Sequence, residues 1–281
     1  MQTQKHSRYP HVFSPIRLGP VEVPTRYYFA PHGSVLAVGT APSDDLIAFS
    51  AERVSGGGCG LVIIATAAHE RARTNQPSPH PDENVPAFKA YADAIHEAGG
   101  KAFAELLYWW GGYGRWQPFG PPAPAFGPSV RQFAYRGRTN STHELSREEL
   151  DYILKAHRHS AANLRRAGFD GIMLHGSHAA LIEQFLSPYF NERDDEFGGD
   201  PQRRLSMLLR LLEVVREGAG DDLAVGIRLN CDELLPGGYH TDAASNIVGE
   251  ITARGLVDFV DLDLAVEPQQ LYYGMPTSFT E

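Results

Sequence analysis

Short runs of Val, Ile, Leu, Ala and Phe recur along the chain and alternate with longer stretches in which apolar residues return every three or four positions. The first pattern is that of parallel strands buried on both faces, and the second is that of helices covering them. Six strands are expected, at 26–31, 60–66, 101–108, 169–175, 223–230 and 257–265, with helices at 43–54, 85–98, 146–167, 202–217 and 242–254. Boundary residues agree with the periodicity. Ser146 opens the segment SREE, in which Glu149 can reach back to the cap amide. Asp200-Pro201 joins a capping carboxylate to a residue that needs no amide hydrogen at the first helical position. Glycines in AGG at 98–100 and AGF at 167–169 suit helix ends.

Repeated βα units build either an open doubly wound sheet or a closed (β/α)8 TIM barrel. The first turn, APHGSVLAVGT, has no G-x-G-x-x-G between strand and helix, which disfavours a dinucleotide-binding sheet and leaves the barrel. A full barrel has eight strands. The expectation is therefore one α/β domain over 1–281, an incomplete TIM barrel of about six βα units without strands seven and eight. Such a chain is a truncated product, a fragment, or a subunit completed by another polypeptide, and its first and sixth strands are exposed edges that invite association. The segment 109–145 is crowded with Pro, Gly and aromatic residues and is expected to be a long loop serving as lid or rim. Its Trp109, Trp110 and Trp116 could wall a cationic or planar substrate, or simply pack the loop.

Composition narrows the class. A 281-residue chain with 42% hydrophobic and 21% charged residues is ordinary for a globular protein. Its net charge of −9 offers no broad basic surface, which argues against nucleic acid or an anionic membrane as main partner and leaves a small molecule. Cys59 and Cys231 stand far apart in apolar runs, so neither a disulfide framework nor a zinc or iron–sulfur spacing is present. With no leader-like start and no apolar run near the ~20 residues that span a bilayer, a cytoplasmic location is expected.

In a barrel of this kind, reactive groups sit where the strands run out. Those positions hold Pro31, His32 and Gly33; Ala65 and Thr66; Glu105 and Tyr108; His175 and His178; and Arg228. They supply donors, acceptors and one fixed cation but little that could attack a substrate covalently, as befits a cradle for a cofactor. Other readings stand beside this one. His175, His178 and Asp263 could form a three-ligand zinc site. Arg228 could pair with Asp232, or with Glu105. In the run NERDDEFGG, Arg193, Asp194 and Asp195 would tie the loop to the next helix, with Tyr189 and Phe190 packing beside it.

The segment HGSHAALIEQFLSPYFNERDDEFGGDPQRR resembles the signature of the old yellow enzyme superfamily of FMN-dependent (β/α)8 oxidoreductases. FSPIRLGPVEVPTR, GCGLVIIATA and AGFDGIMLHGSH resemble that family's opening strand and turn, second strand and fourth strand. RYYFAPH, AELLY and VGIRLN resemble its trimethylamine dehydrogenase and 2,4-dienoyl-CoA reductase branch more than its short ene-reductases. The resemblance implies that Pro31, His32, Gly33 and Ala65 line FMN, that Glu105 faces its pyrimidine edge and that Arg228 sits by N1–C2=O. It further implies that His175 and His178 stand over the flavin face as a substrate clamp. The reaction implied is hydride transfer between FMN and a small substrate: oxidative N-demethylation of an amine, or NAD(P)H-linked reduction of an activated C=C bond.

Three features depart from the family pattern. Ala180 stands where many members carry a proton-donating Tyr, leaving Tyr108, Tyr113 or solvent to substitute. Gly33 replaces the Cys that bonds flavin in trimethylamine dehydrogenase, so FMN is expected to be non-covalent. The four-cysteine iron–sulfur motif and the FAD domain of larger members are expected only if a further C-terminal part exists. A homo-oligomer or a completing polypeptide is a possible partner, and a non-catalytic fragment that cannot hold FMN unaided is the alternative to an enzyme.

Overall fold

A computed structural model of the chain describes residues 9–34, 36–69, 76–108, 125–135 and 138–264. In chain order its strands are β1 (Ile16–Leu18), β2 (Val21–Val23), β3 (Tyr28–Phe29), β4 (Ala37–Val38), β5 (Ala41–Pro42), β6 (Leu61–Ala67), β7 (Lys101–Leu107), β8 (Ala125–Gly127), β9 (Gln132–Tyr135), β10 (Arg138–Glu144), β11 (Gly171–Gly176), β12 (Ala224–Asn230) and β13 (Phe259–Asp263). The helices are α1 (Asp44–Val54), α2 (Val85–Glu97), α3 (Arg147–Arg166), α4 (Leu181–Leu186), α5 (Pro201–Ala219) and α6 (Thr241–Ala253).

β3, β6, β7, β11, β12 and β13 form one six-stranded sheet in that spatial order, and every neighbouring pair is parallel. The order never reverses, so there is no switch point of the doubly wound kind and the sheet curls in one sense. This is the curled half of a TIM barrel. All six expected strands are present, although β3 is only two residues long, because Pro31 cannot donate to a ladder. The five expected helices are present too. Ser146 and Glu149 make the reciprocal capping box, the Asp200 side chain accepts the Arg203 amide, and Gly99 and Gly168 take left-handed φ values of 95° and 78°.

Alternation divides each strand between two cores. Val62, Ile64, Ala104, Leu106, Ile172, Leu174, Val225 and Ile227 face the helices. Leu61, Ile63, Phe103, Met173 and Ala224 face inward and pack on Val21 and Val23, so the β1–β2 hairpin plugs the amino end of the half-barrel. Both faces of the central strands are thus dry, which is why they read as continuous apolar runs. Two glycines make room for the inner layer. A Cβ on Gly171 would stand 2.6 Å from the Phe103 ring, and one on Gly226 would stand 2.5 Å from the Phe259 ring. These two rings pack together with centroids 5.6 Å apart. Gly171→Ala is expected to force that layer apart and to cost about 1–3 kcal/mol by overpacking. Urea denaturation measures it, and an unchanged midpoint would show that the layer has slack.

The structure corrects the expectation for 109–145. From 125 onward this segment is a small sheet in the order β8–β10–β9. β8 and β9 are only three and four residues long and β10 is polar, too little for an alternating pattern to show, and pairing with one another organises them. Trp109, Trp110, Trp116 and Tyr113 lie outside the described residues. Helix α4 and the β4–β5 hairpin were also not foreseen, each being too short for a period to show. Among the described residues, no helix is long and apolar enough to cross a membrane.

Candidate active site

Sheet register brings the chemistry together. His175 on β11 is aligned with Arg228 on β12, and Arg228 with Asp261 on β13. One layer below, Ala65 is aligned with Glu105, and Glu105 with Met173. Inward-facing positions recur every second residue, so these are successive tiers at the carboxyl ends of the strands.

At the centre runs a line of four side chains. Nδ1 of buried His175 lies 2.8 Å from Oε1 of buried Glu105. Nε2 of His175 lies 3.4 Å from Nδ1 of His178, and Nε2 of His178 lies 2.9 Å from Oδ2 of Asp263. The two rings are thereby held end to end between two carboxyl groups, each by both of its nitrogens. Burial acts to raise the Asp263 carboxyl, but the hydrogen bond and charge of His178 outweigh it and hold Asp263 down at about 2.

Arg228 forms a second cluster. Its Nε donates to Oδ2 of Asp261 at 2.6 Å, and its Nη2 donates to the Tyr28 hydroxyl at 3.4 Å. The Tyr28 hydroxyl donates to Oδ1 of Asp261 at 2.8 Å. That bond links β3 to β13, the two edge strands, across the opening of the sheet. Burial opposes the Arg228 charge, but Glu105 and Asp261 more than offset it and push its pKa up. Burial and then the Asp261 hydrogen bond push the Tyr28 phenol up to about 12. The alternative partner for Arg228 is corrected: Asp232 instead receives Nδ1 of His240 at 2.8 Å, and Asp261 takes the guanidinium.

The other expected site residues divide. Pro31, His32 and Gly33 follow β3 on the rim, where a Cβ on Gly33 would meet nothing within 4 Å. Half-buried Ala65 lies level with Glu105, and buried Thr66 donates to the Glu105 carbonyl at 2.8 Å. Tyr108 is not brought to the imidazoles. It packs against the outer core with its ring 4.9 Å from that of His69 and 6.1 Å from that of His157 on α3. Alternation along β7 explains this, since Tyr108 shares the face of Leu106 rather than that of Glu105. Among the described residues, no group of three or more His, Cys, Asp or Glu side chains is placed to hold a metal ion. His175, His178 and Asp263 stand in a line instead of converging, and this counts against the zinc reading.

The polar run after the clamp is a lock, tied to the next helix as expected, where Nη1 of Arg203 on α5 donates to the Asp194 carbonyl at 3.4 Å, and to other elements besides. Arg193 grips Asp195 through Nε at 3.0 Å and Nη2 at 2.6 Å, while Nη1 donates to the carbonyls of Pro128 at 3.0 Å and Leu145 at 2.8 Å. The loop is thereby tied to the small sheet and to the start of α3. Asn191 bridges the carbonyls of Phe185 and Phe197, each at 2.7 Å. Tyr28, Asp261 and Glu233 escaped the sequence reading. Asp261 is the middle residue of β13 and Tyr28 opens β3, so a search confined to the carboxyl ends of strands passes over both.

Glu233 is buried behind the clamp, with one carboxyl oxygen accepting from Ser187 at 2.8 Å and from the Tyr239 amide at 2.7 Å. Burial lifts its pKa to about 7. The folded chain then binds a proton that the unfolded chain releases near 4.5, so stability present below that pH is lost as pH rises to about 7. The loss expected is about 3 kcal/mol. Glu233→Gln should flatten this window in denaturant midpoints taken from pH 4.5 to 7.5. An equal slope in the variant would assign the window to other groups.

Comparison with known proteins adds sequence and fold relatives. Residues 11–270 match the model of the NADH:flavin oxidoreductase / NADH oxidase family. The N,N-dimethylglycine/sarcosine dehydrogenase of Chromohalobacter salexigens is 30% identical over 253 residues, covering 88% of this chain and 36% of the dehydrogenase. The 12-oxophytodienoate reductase 2 of Arabidopsis thaliana is 32% identical over 230 residues, covering 78% of this chain and 60% of the reductase. The chain thus spans between about a third and three fifths of the length of these relatives. Morphinone reductase in complex with tetrahydroNAD superposes with a TM-score of 0.77 at 25% identity, over 90% of this chain and 73% of that one.

Proposed function

The chain belongs to the NADH:flavin oxidoreductase / NADH oxidase family, and from that footing we propose that it is an FMN-dependent oxidoreductase acting on a small molecule at the mouth of the half-barrel. The observation that carries this reading is the line Glu105–His175–His178–Asp263, set beside Arg228 at the strand ends. Its donor set fits an isoalloxazine ring. A buried carboxylate at Glu105 can accept from a ring N–H, and a guanidinium has donors to spare for a ring carbonyl, since two of its five N–H groups make the bonds described. Ala65 and Gly33 leave space beside them. Bound FMN would supply a two-electron hydride acceptor or donor.

The protein's own residues do the rest. Arg228 would offer a bound flavin a fixed positive charge, and it needs no reorganisation because Asp261 and Tyr28 already hold it. His175, anchored by Glu105, presents a fixed imidazole, and His178 orients the substrate beside it. Ala180 supplies no proton donor. That favours oxidation of an N-methyl amine, in keeping with the N,N-dimethylglycine/sarcosine dehydrogenase among the relatives. Reduction of an activated C=C bond with NAD(P)H is the second reading, favoured by the paired imidazoles, which could polarise a substrate oxygen.

Titration of the purified chain with FMN tests the proposal. Stoichiometric quenching of flavin fluorescence is expected, followed by anaerobic bleaching on addition of an N-methyl amino acid. Bleaching by NADH and reoxidation by an enone would select the second reading. A chain that leaves flavin fluorescence unquenched would refute both.

A further inference from the structure

The clamp depends on an unusual corner. His178 and Ala179 take φ values of 57° and 52°, two successive non-glycine residues in the left-handed region. Each is disfavoured by contact between its Cβ and the backbone. The corner is also where α4 begins, and its N-cap, Ala180, has no side chain with which to cap. Something else must hold the turn.

Glu183 does so. From the first turn of α4 its Oε2 accepts the Ala179 amide at 2.5 Å, and its Oε1 accepts Nδ2 of Asn230 at 2.5 Å. Asn230 is fixed in turn by Tyr239, whose hydroxyl donates to the Asn230 carbonyl at 2.9 Å. Gln184 donates to the Ala179 carbonyl at 2.6 Å from the other side. Glu183 is fully buried, and burial, with the neighbouring Glu233 carboxylate, pushes its pKa well up. A buried carboxyl is costly to keep. Its two bonds run from the catalytic corner to the end of β12, so they fix His178 relative to the strand that carries Arg228.

We infer that Glu183 is a positioning residue: by accepting the Ala179 amide it locks the left-handed corner and sets the His178 ring between His175 and Asp263. This rests on the reading that His178 faces the substrate. The role needs an acceptor and not a charge. Glutamine should therefore substitute, because its amide oxygen can take the Ala179 N–H, and reversal of the Asn230 amide to meet its NH2 gives up only the long 3.3 Å bond that Asn230 Oδ1 accepts from the Asp232 amide.

The test compares Glu183→Met and Glu183→Gln in the full chain. Long-range proton–nitrogen spectra of the imidazoles need no flavin. In E183M the His178 signals should move toward those of a free ring while the His175 signals, held by Glu105, stay in place; E183Q should match the parent. With FMN bound, E183M should lose roughly tenfold to a hundredfold in kcat with little change in KM. E183Q should stay within about threefold. If E183M fails to fold, Ala179→Gly added to it should restore folding and the His178 signals, because glycine adopts the left-handed corner without a Cβ penalty. An unmoved His178 in E183M, equal movement of His175 and His178, or no recovery from A179G would each overturn the inference. Failure of the parent chain to bind FMN would count against the proposed function and leave the spectra to decide the role of Glu183.

Discussion

Replacing His175 with leucine is expected to lower kcat/KM of the flavin-loaded chain by about two to four orders of magnitude. The ring is buried, held at 2.8 Å by Glu105 on one side and 3.4 Å from His178 on the other. Leucine fills much of the volume but donates nothing, so the substrate loses an orienting partner and Glu105 loses its neighbour. Asparagine can still donate to Glu105 and should recover part of the loss. Steady-state rates for the two variants, with flavin content matched, make the measurement. Activity of H175L within about threefold of the parent would remove His175 from the chemistry.

The second large effect falls on stability. Arg228→Met would leave Asp261 and Glu105 without the cation between them, and Tyr28 with one partner fewer. Removing one member of a largely buried ion pair costs about 3–5 kcal/mol, mostly through the carboxylate left behind. Partial access of solvent to Asp261 puts the expectation here at about 3 kcal/mol. The double variant R228M/D261N removes that stranded charge and should regain much of the loss, a coupling that a double-mutant cycle reads directly. Denaturant midpoints of the four proteins decide it. Additive losses would mean that Arg228 is held by something other than Asp261. The pair also links the last two strands, and Tyr28 brings in the first, so the loss should be cooperative across the opening of the sheet.

The two variants probe different properties of one layer. His175 and Arg228 are register partners, yet His175 is expected to act mainly on rate, whereas Arg228 carries a stability cost in addition to its charge beside the flavin. The difference lies in their partners. Arg228 joins three strands, whereas His175 looks out from β11 toward the space above Glu105.

The sequence by itself determined the elements long enough, or capped clearly enough, to carry a local pattern. Six apolar runs, the Ser146 and Asp200 caps and the glycines at helix ends are local signals, and local physics is enough to produce them. The same holds for His175 and His178, since a strand end is recognisable from its own residues. Only the tertiary structure decided who pairs with whom. Asp261 and not Asp232 holds Arg228, because parallel pairing of β12 with β13 carries residue 261 alongside 228, whereas 232 lies past the end of β12 and turns to His240. Tyr108 left the site for the outer core because strand alternation counted from Glu105 points it that way. The left-handed corner at His178 and Ala179 was equally hidden, since non-glycine residues give no warning of it and the carboxyl that holds it arrives from the next helix. Register and long-range hydrogen bonding are properties of pairs separated by tens to hundreds of residues, and no local pattern encodes them.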